Sequence, residues 1–255
     1  MNNFKLSSVL ILIFALSYHF ILFSSEWLIV ADALSFSEEQ IRAEKENRMV
    51  VSLDGATDYF QKFNIIPNVI LGDFDSIKDS EYWGIKNRFN EITDDSKPYN
   101  GHFGTLIVPA KDQTRSDLEK GICYCDSQNA KAIYIVNATG GRTDHTLSNF
   151  SLLKKYHNLQ RPIVILSEHE CIEFVENQTR IIKGEIGAQV AVIGFPLAHM
   201  TTFGLKYNGE EFKCELGARN SPCNTLASSE AIIQIKGNAI IINQKFKGDA
   251  YKKNR

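Results

Sequence analysis

From Trp27 onward, apolar residues fall in short unbroken runs separated by polar stretches with helical spacing. The runs are Trp27–Ala31 (WLIVA), Met49–Leu53 (MVVSL), Val69–Leu71, Thr105–Val108, Ala132–Val136 and Ile163–Leu166. Continuous apolar runs of strand length predict strands buried on both faces, as in a parallel sheet. Between them the pattern predicts helices over Ser37–Glu46, Ala56–Phe63, Asp117–Asp126 and Thr143–Tyr156. Ser37 followed three residues later by Gln40 is a capping-box start. Ala56, Tyr59, Phe60 and Phe63 recur at helix spacing. Alternating strands and helices predict a parallel sheet covered on both faces. The polar stretch from Asp79 to Gly104 reads as an exposed excursion.

Past Ile172 the helical periodicity stops. Short β-rich pieces follow at Gln189–Ile193, Glu211–Leu216, Ala231–Ile235 and Ala239–Ile242, punctuated by glycines. Ile232–Gln244 reads as a hairpin with Gly237-Asn238 as its turn. The expected architecture is therefore α/β: an N-terminal parallel-sheet domain over 26–168, then a C-terminal all-β sandwich over 169–250. Residues 1–25 stand outside it. Leu6–Ser25 is a 20-residue stretch free of Asp, Glu, Lys and Arg, with Val9–Leu16 (VLILIFAL) as its apolar centre. It reads as a signal-like segment, a membrane anchor or an extension irrelevant to the fold.

Composition narrows the function classes. The chain has 255 residues, 44% hydrophobic and 23% charged, which suits a globular protein. A net charge of −2 without a basic run makes nucleic acid a poor partner, since phosphate backbones need a basic footprint. The five cysteines (Cys123, Cys125, Cys171, Cys214 and Cys223) form no C-x-x-C pair. They read as reduced, mostly buried thiols, which favours a cytoplasmic catalytic domain over a disulfide framework. Leu6–Ser25 keeps a secretory or membrane-anchored location as the alternative.

Four polar clusters each follow a predicted strand: Asp54-Gly55, Gly72–Ser76 (GDFDS), Asp112–Asp117 (DQTRSD) and Gly140–His145 (GGRTDH). In an open parallel sheet, ligands bind outside the carboxyl ends of the strands, so all four are expected on one rim. Asp73 and Asp75 would point to opposite faces of a straight strand, but can converge in a turn just beyond it. Asp117 opens a helix with Ser116 as its N-cap. Three mutually repelling carboxylates are tolerable around a divalent cation, and their hard oxygens select Mg²⁺ or Mn²⁺ over zinc. Gly140 and Gly141 expose backbone N–H groups beside a helix start, and Arg142 adds a fork suited to phosphate oxygens. Taken singly, Asp54-Gly55 also reads as a turn, Ser116-Asp117 as a cap, and His145 as a polar residue opening a helix.

Together, in this order, the DGA at Asp54–Ala56, GDFDS, DQ-x-x-SD and GGR-x-DH motifs resemble those of thiamine pyrophosphokinases. Ser221–Asn224 (SPCN) resembles that family's S-x-S-N element. The resemblance covers residues 27 to 245. Ala56-Thr57-Asp58, Ser116, Pro222 and Cys223 depart from the family's usual residues. It implies transfer of a diphosphate from ATP to the thiamine hydroxyl, with Mg²⁺ (or Mn²⁺) on Asp73, Asp75 and Asp117 and with Arg142 on the transferred group. It also implies Asp54, Gly55, Asp112, Gly141 and Asp144 about the ATP phosphates, and Gln113, Ser221 and Asn224 about thiamine. An aromatic from the second domain is expected on thiamine, with Phe203 and Tyr207 as candidates. The family is homodimeric, with its site between the α/β domain of one subunit and the sandwich of the other. Rival readings are a diphosphokinase for a pterin-like alcohol, a non-catalytic thiamine- or nucleotide-binding protein, and a metal-dependent phosphohydrolase.

Overall fold

The computed structural model describes residues 25–86, 97–158 and 161–245. The apolar stretch read at Leu6–Ser25 lies outside these residues apart from Ser25, as does part of the Asp79–Gly104 excursion. Among the described residues, no helix is long and apolar enough to cross a membrane. The chain is a mixed α/β protein whose extended strands include a parallel set. It divides into two compact units, one holding 25–32 with Lys45–Tyr134, the other Ala33–Glu44 with 135–245.

In the first unit, β1 (Glu26–Val30) pairs in parallel with β2 (Arg48–Leu53), β2 with β3 (Val69–Gly72), and β3 with β5 (Leu106–Pro109). The short β4 (Tyr99–Asn100) runs antiparallel to β5 and ends the sheet. Helices α2 (Thr57–Lys62) and α3 (Asp117–Ser127) connect and cover the strands. Trp27, Leu28, Ile29, Val30, Ile70 and Leu71 are almost wholly buried, as the unbroken apolar runs require of strands covered on both faces. Helix α3 packs across β1, β2 and β3, and its Tyr124 meets Trp27 edge-to-face at 5.8 Å. The helix expected from Ala56 starts instead as a tight 3₁₀ turn over Asp54–Ala56 before α2.

The second unit begins with α1 (Glu38–Glu44). The capping box forms as the sequence implies: the Gln40 N–H donates to Ser37 Oγ (3.3 Å) and the Ser37 N–H to Gln40 Oε1 (2.7 Å). The strand β6 (Ala132–Val136) leads into α4 (Thr143–Lys155), followed by β7 (Ile163–Leu166) and β8 (Glu170–Glu176). Beyond these, β9 (Thr179–Lys183), β10 (Gln189–Phe203), β11 (Phe212–Glu215), β12 (Ser221–Thr225) and β13 (Glu230–Gln244) pair antiparallel.

The hairpin expected at Ile232–Gln244 does not form. Gly237 and Asn238 lie inside β13, a single 15-residue strand that pairs with β10 on both sides of that point. The register of β10 shifts between Gly194 and Ala198, and Gly237 takes φ 93°, so the glycine supplies a bend rather than a reversal. One half of β13 pairs with β9 and the other with β8, while β10 pairs with β12 and β11 in the same divided way. Val190, Val192, Met200, Ile233, Ile235 and Ile241 alternate inward from the two long strands and form this unit's core with Leu205 and Leu226. Two short β signals separated by a Gly-Asn pair look alike in sequence whether the chain reverses or bends. Only the partner strand decides.

All five cysteines are thiols rather than disulfides. Cys125, Cys171 and Cys214 are buried, and burial pushes the Cys171 thiol up to about 12, making it a poor nucleophile. Cys223 departs from the expectation of burial: it is exposed on β12.

Candidate active site

The first unit gathers carboxylates at the carboxyl ends of its parallel strands. Asp54 follows β2 directly, and Asp73 and Asp75 follow β3. One carboxylate oxygen from each of these three residues lies within 4.8 Å of the others. Two local features produce this. Phe74 takes a left-handed backbone (φ 65°), turning the chain so that Asp73 and Asp75 converge, and its fully buried ring anchors the turn. Gly72 gives the second: a Cβ there would lie 2.8 Å from the Asp54 Cβ, so only glycine lets the end of β3 approach Asp54 this closely.

The cluster is electrostatically unfavourable as it stands. Asp54 is 4% exposed, and its Oδ1 is buried without a hydrogen-bond partner. Burial, followed by the charges of Asp73 and Asp117, pushes its carboxyl up to about 8. Asp73 is also buried, and its Oδ2 accepts from Gln113 Nε2 at 2.9 Å. Asp75 is exposed and accepts from the Ser76 hydroxyl at 2.8 Å. An orphaned buried carboxylate oxygen beside two further carboxylates fits a hard divalent cation, which supplies the missing charge and bonding partner.

The grouping differs from the expected metal set. Asp54, read from the resemblance as a phosphate-site residue, stands in the trio, whereas Asp117 does not. Asp117 opens α3, and its Oδ1 accepts from Lys120 Nζ at 2.9 Å. The Lys120 side chain is only 6% exposed, so a buried cation balances this acid. Lys120 escaped the motif reading, although an Asp and a Lys three apart on a helix signal such a pair. Ser116 caps α3 as expected, its Oγ accepting from the Glu119 N–H at 3.3 Å. Asp32, just past β1, also escaped. It lies where a Cβ on Gly55 would touch its Oδ2 at 2.8 Å, and burial raises its carboxyl, making it another acid at a strand end.

Other expected contacts are engaged within the protein. Asp112 Oδ1 accepts from the Thr114 N–H (2.8 Å) and hydroxyl (2.6 Å), and its Oδ2 accepts from Arg115 Nε (2.5 Å). These bonds hold its carboxyl well below the usual range. Gln113, expected near thiamine, is bonded to Asp73.

The second unit carries Gly141, Arg142, Asp144, Ser221 and Asn224. Arg142 and Asp144 are exposed and form a two-point pair, Nε to Oδ1 at 3.1 Å and Nη2 to Oδ2 at 2.6 Å. Arg142 precedes α4 with no side chain capping that helix. Asn224, expected to contact thiamine, is 3% exposed, and its amide is spent on backbone. Its Oδ1 accepts from the Tyr207 N–H (3.0 Å) and its Nδ2 donates to the Tyr207 carbonyl (2.7 Å). It thereby fixes a loop that presents Tyr207 at 63% exposure, with Phe203 also exposed at 56%. Ser221 is half-buried at the start of β12.

Residues 42–165, which include the acid trio, match the family described as thiamin pyrophosphokinase, catalytic domain. The chain is 27% identical over 191 residues to thiamine pyrophosphokinase 3 of Oryza sativa subsp. japonica, covering 69% of this chain and 64% of that protein. Over this region the chain is similar to thiamine pyrophosphokinases. A Caenorhabditis elegans family member, thiamin pyrophosphokinase 1, is 25% identical over 204 residues, covering 74% of this chain and 76% of its own length. The chain thus spans 64% of the rice relative and more of the nematode one. The fold is that of the thiamine pyrophosphokinase crystal structure from Bacillus subtilis: TM-score 0.69 at 22% identity, covering 86% of this chain and 99% of that one.

Proposed function

We propose that this protein transfers a diphosphate from ATP to the hydroxyl of thiamine, yielding thiamine diphosphate and AMP. The observation that carries this reading is the trio of Asp54, Asp73 and Asp75, with its orphaned Asp54 oxygen, inside the region that matches the family's catalytic domain. The thiamine hydroxyl would attack the β-phosphorus in line. The bond from that phosphorus to the oxygen bridging to the α-phosphate would break, with the electron pair leaving on AMP. Such transfers depend on positioning and charge neutralisation more than on covalent help from the protein. Mg²⁺ (or Mn²⁺), held by Asp54, Asp73 and Asp75 with Asp117 as a further acid, would offset the charge developing on the phosphates. Gln113 would hold the Asp73 carboxylate in orientation, and Lys120 would do the same for Asp117. Arg142 and the Gly140-Gly141 turn would serve the phosphates, with Arg142 exchanging Asp144 for a phosphate oxygen.

At the scale of domains, the reading includes an α/β nucleotide-binding part followed by a β-sandwich that receives thiamine. The bent, shared strands β10 and β13 support the sandwich. Tyr207 and Phe203, exposed on that part, would supply an aromatic surface to the thiazolium cation. A homodimer and a cytoplasmic location complete it. Light scattering and fractionation of tagged full-length protein test these two points.

The decisive assay mixes the purified protein with ATP, Mg²⁺ and either thiamine or a pterin alcohol, and follows AMP and thiamine diphosphate. Thiamine diphosphate formed together with AMP is expected. AMP formed only with the pterin alcohol, or phosphate released without any acceptor, overturns the reading. Asp73→Asn should lower kcat by at least about 100-fold at saturating Mg²⁺. Near-normal turnover in that variant removes Asp73 from the ligand set.

A further inference from the structure

Asn137 stands immediately after β6 at the root of the Gly140–Arg142 loop. It is 1% exposed and holds a left-handed backbone, φ 57°. Its Oδ1 accepts three hydrogen bonds from a segment about a hundred residues earlier: the Ser35 N–H (3.2 Å), the Ser35 hydroxyl (3.0 Å) and the Phe36 N–H (2.9 Å). Its carbonyl accepts a fourth from the Ala33 N–H at 3.1 Å. The captured segment lies against the glycine turn. A Cβ on Gly141 would meet the Ala33 Cβ at 3.0 Å, and one on Gly140 would meet the Ser35 Cβ at 3.5 Å. From the other side, Asn149 of α4 donates to the Ala138 carbonyl at 2.9 Å.

Two features of Asn137 are unfavourable by themselves. Asparagine tolerates the left-handed region better than most side chains, yet glycine adopts it at lower cost. Its Nδ2 is buried with no hydrogen-bond partner, a state that native proteins rarely keep. A glycine would remove both costs, and with them the three bonds to Oδ1. What the asparagine contributes is therefore the acceptor that ties two loops together.

We infer that Asn137 is a positioning residue: it locks the Gly140–Arg142 loop against residues 33–36, so that the loop meets the ATP phosphates already in one arrangement. This rests on the reading that the loop handles phosphate. Preorganised donors spare the binding step the cost of ordering them, and small displacements of such a loop are expensive.

Asn137→Gly keeps the left-handed backbone and deletes the acceptor, whereas Asn137→Asp keeps the acceptor. Three measurements apply: hydrogen exchange at the Ser35 and Phe36 amides, calorimetric affinity for the Mg²⁺ complex of α,β-methylene-ATP, and KM for thiamine. Asn137→Gly should speed exchange at both amides and weaken the analogue by about tenfold, leaving the thiamine KM in place. Asn137→Asp should bind the analogue within about threefold of the wild type, the conservative rescue that a purely structural role would not require. Should Asn137→Gly not fold, Ser35→Ala, which removes only the hydroxyl bond, gives a graded loss of about two- to fivefold. Faster exchange in Asn137→Gly with unchanged analogue affinity overturns the inference, as does a wild-type protein that does not bind the analogue. A wild type that binds the analogue yet makes no thiamine diphosphate defeats the proposed activity alone, and the affinities still judge the clamp.

Discussion

At the scale of single residues, Asp54 shows how a site trades stability for chemistry. Its carboxyl is raised to about 8 in the folded chain by burial and by neighbouring acids, from an ordinary value of 3.8. A raised acid holds its proton in the folded state while the unfolded chain has released it, so stability falls as pH climbs between these two values. Below the ordinary value both states are protonated, and the penalty vanishes. Asp54→Asn should therefore melt at a higher temperature than the wild type in chelator, with no difference near pH 4 and a gap that widens up to about pH 8. The same variant should lose at least about 100-fold in kcat. Matched thermal melts across pH and one turnover assay check both; a gap that narrows as pH rises contradicts the burial account. Phe74 illustrates the companion cost, a strained backbone held in place by a buried ring so that two acids can share one space.

Elements place these residues. Helix α3 carries Asp117 and Lys120, and its start is fixed by the Ser116 cap. Ser116→Ala removes that bond and should cost about 1 kcal/mol, read as a lower urea midpoint with an unchanged slope. Because the cap also sets where Asp117 begins the helix, activity should fall further than stability alone explains, whereas Ser116→Thr should keep both. The strands β2 and β3 end within three residues of their acids, so the same apolar runs that build the sheet deliver the chemistry to one edge. In the second unit, β13 shows the limit of element-level reading. Its Gly237 signals a break in local conformation, and the partner β10 determines that the break is a bend.

For the whole molecule, a cation held by the acid trio, as proposed, would make metal binding and folding a linked equilibrium. A cation bound only by the folded chain stabilises it by mass action, about 2.7 kcal/mol at a hundredfold excess over Kd. Mg²⁺ or Mn²⁺ should therefore raise the melting temperature of the wild type, and a chelator should reverse the rise. Asp54→Asn and Asp73→Asn should respond weakly. A wild-type melting temperature indifferent to either cation counts against the trio as a metal centre. Ca²⁺, which prefers more and longer oxygen contacts, separates a specific site from general charge screening.

The sequence alone determined the parallel strands, the capping box of α1, the Ser116 cap and the clustering of acids after strands, because these follow from local periodicity, hydrogen-bonding chemistry and chain direction. It also carried the family resemblance, residue by residue, through motifs far apart in the chain. Tertiary structure decided which acids meet. Asp54 joins Asp73 and Asp75 because Gly72 lets β3 come close, while Asp117 is drawn to Lys120. It likewise turned Asn224 inward to hold Tyr207, and joined Asn137 to Ser35 and Phe36. These outcomes depend on distances between segments brought together only by packing, and a one-dimensional pattern carries spacing along the chain but not separation across it.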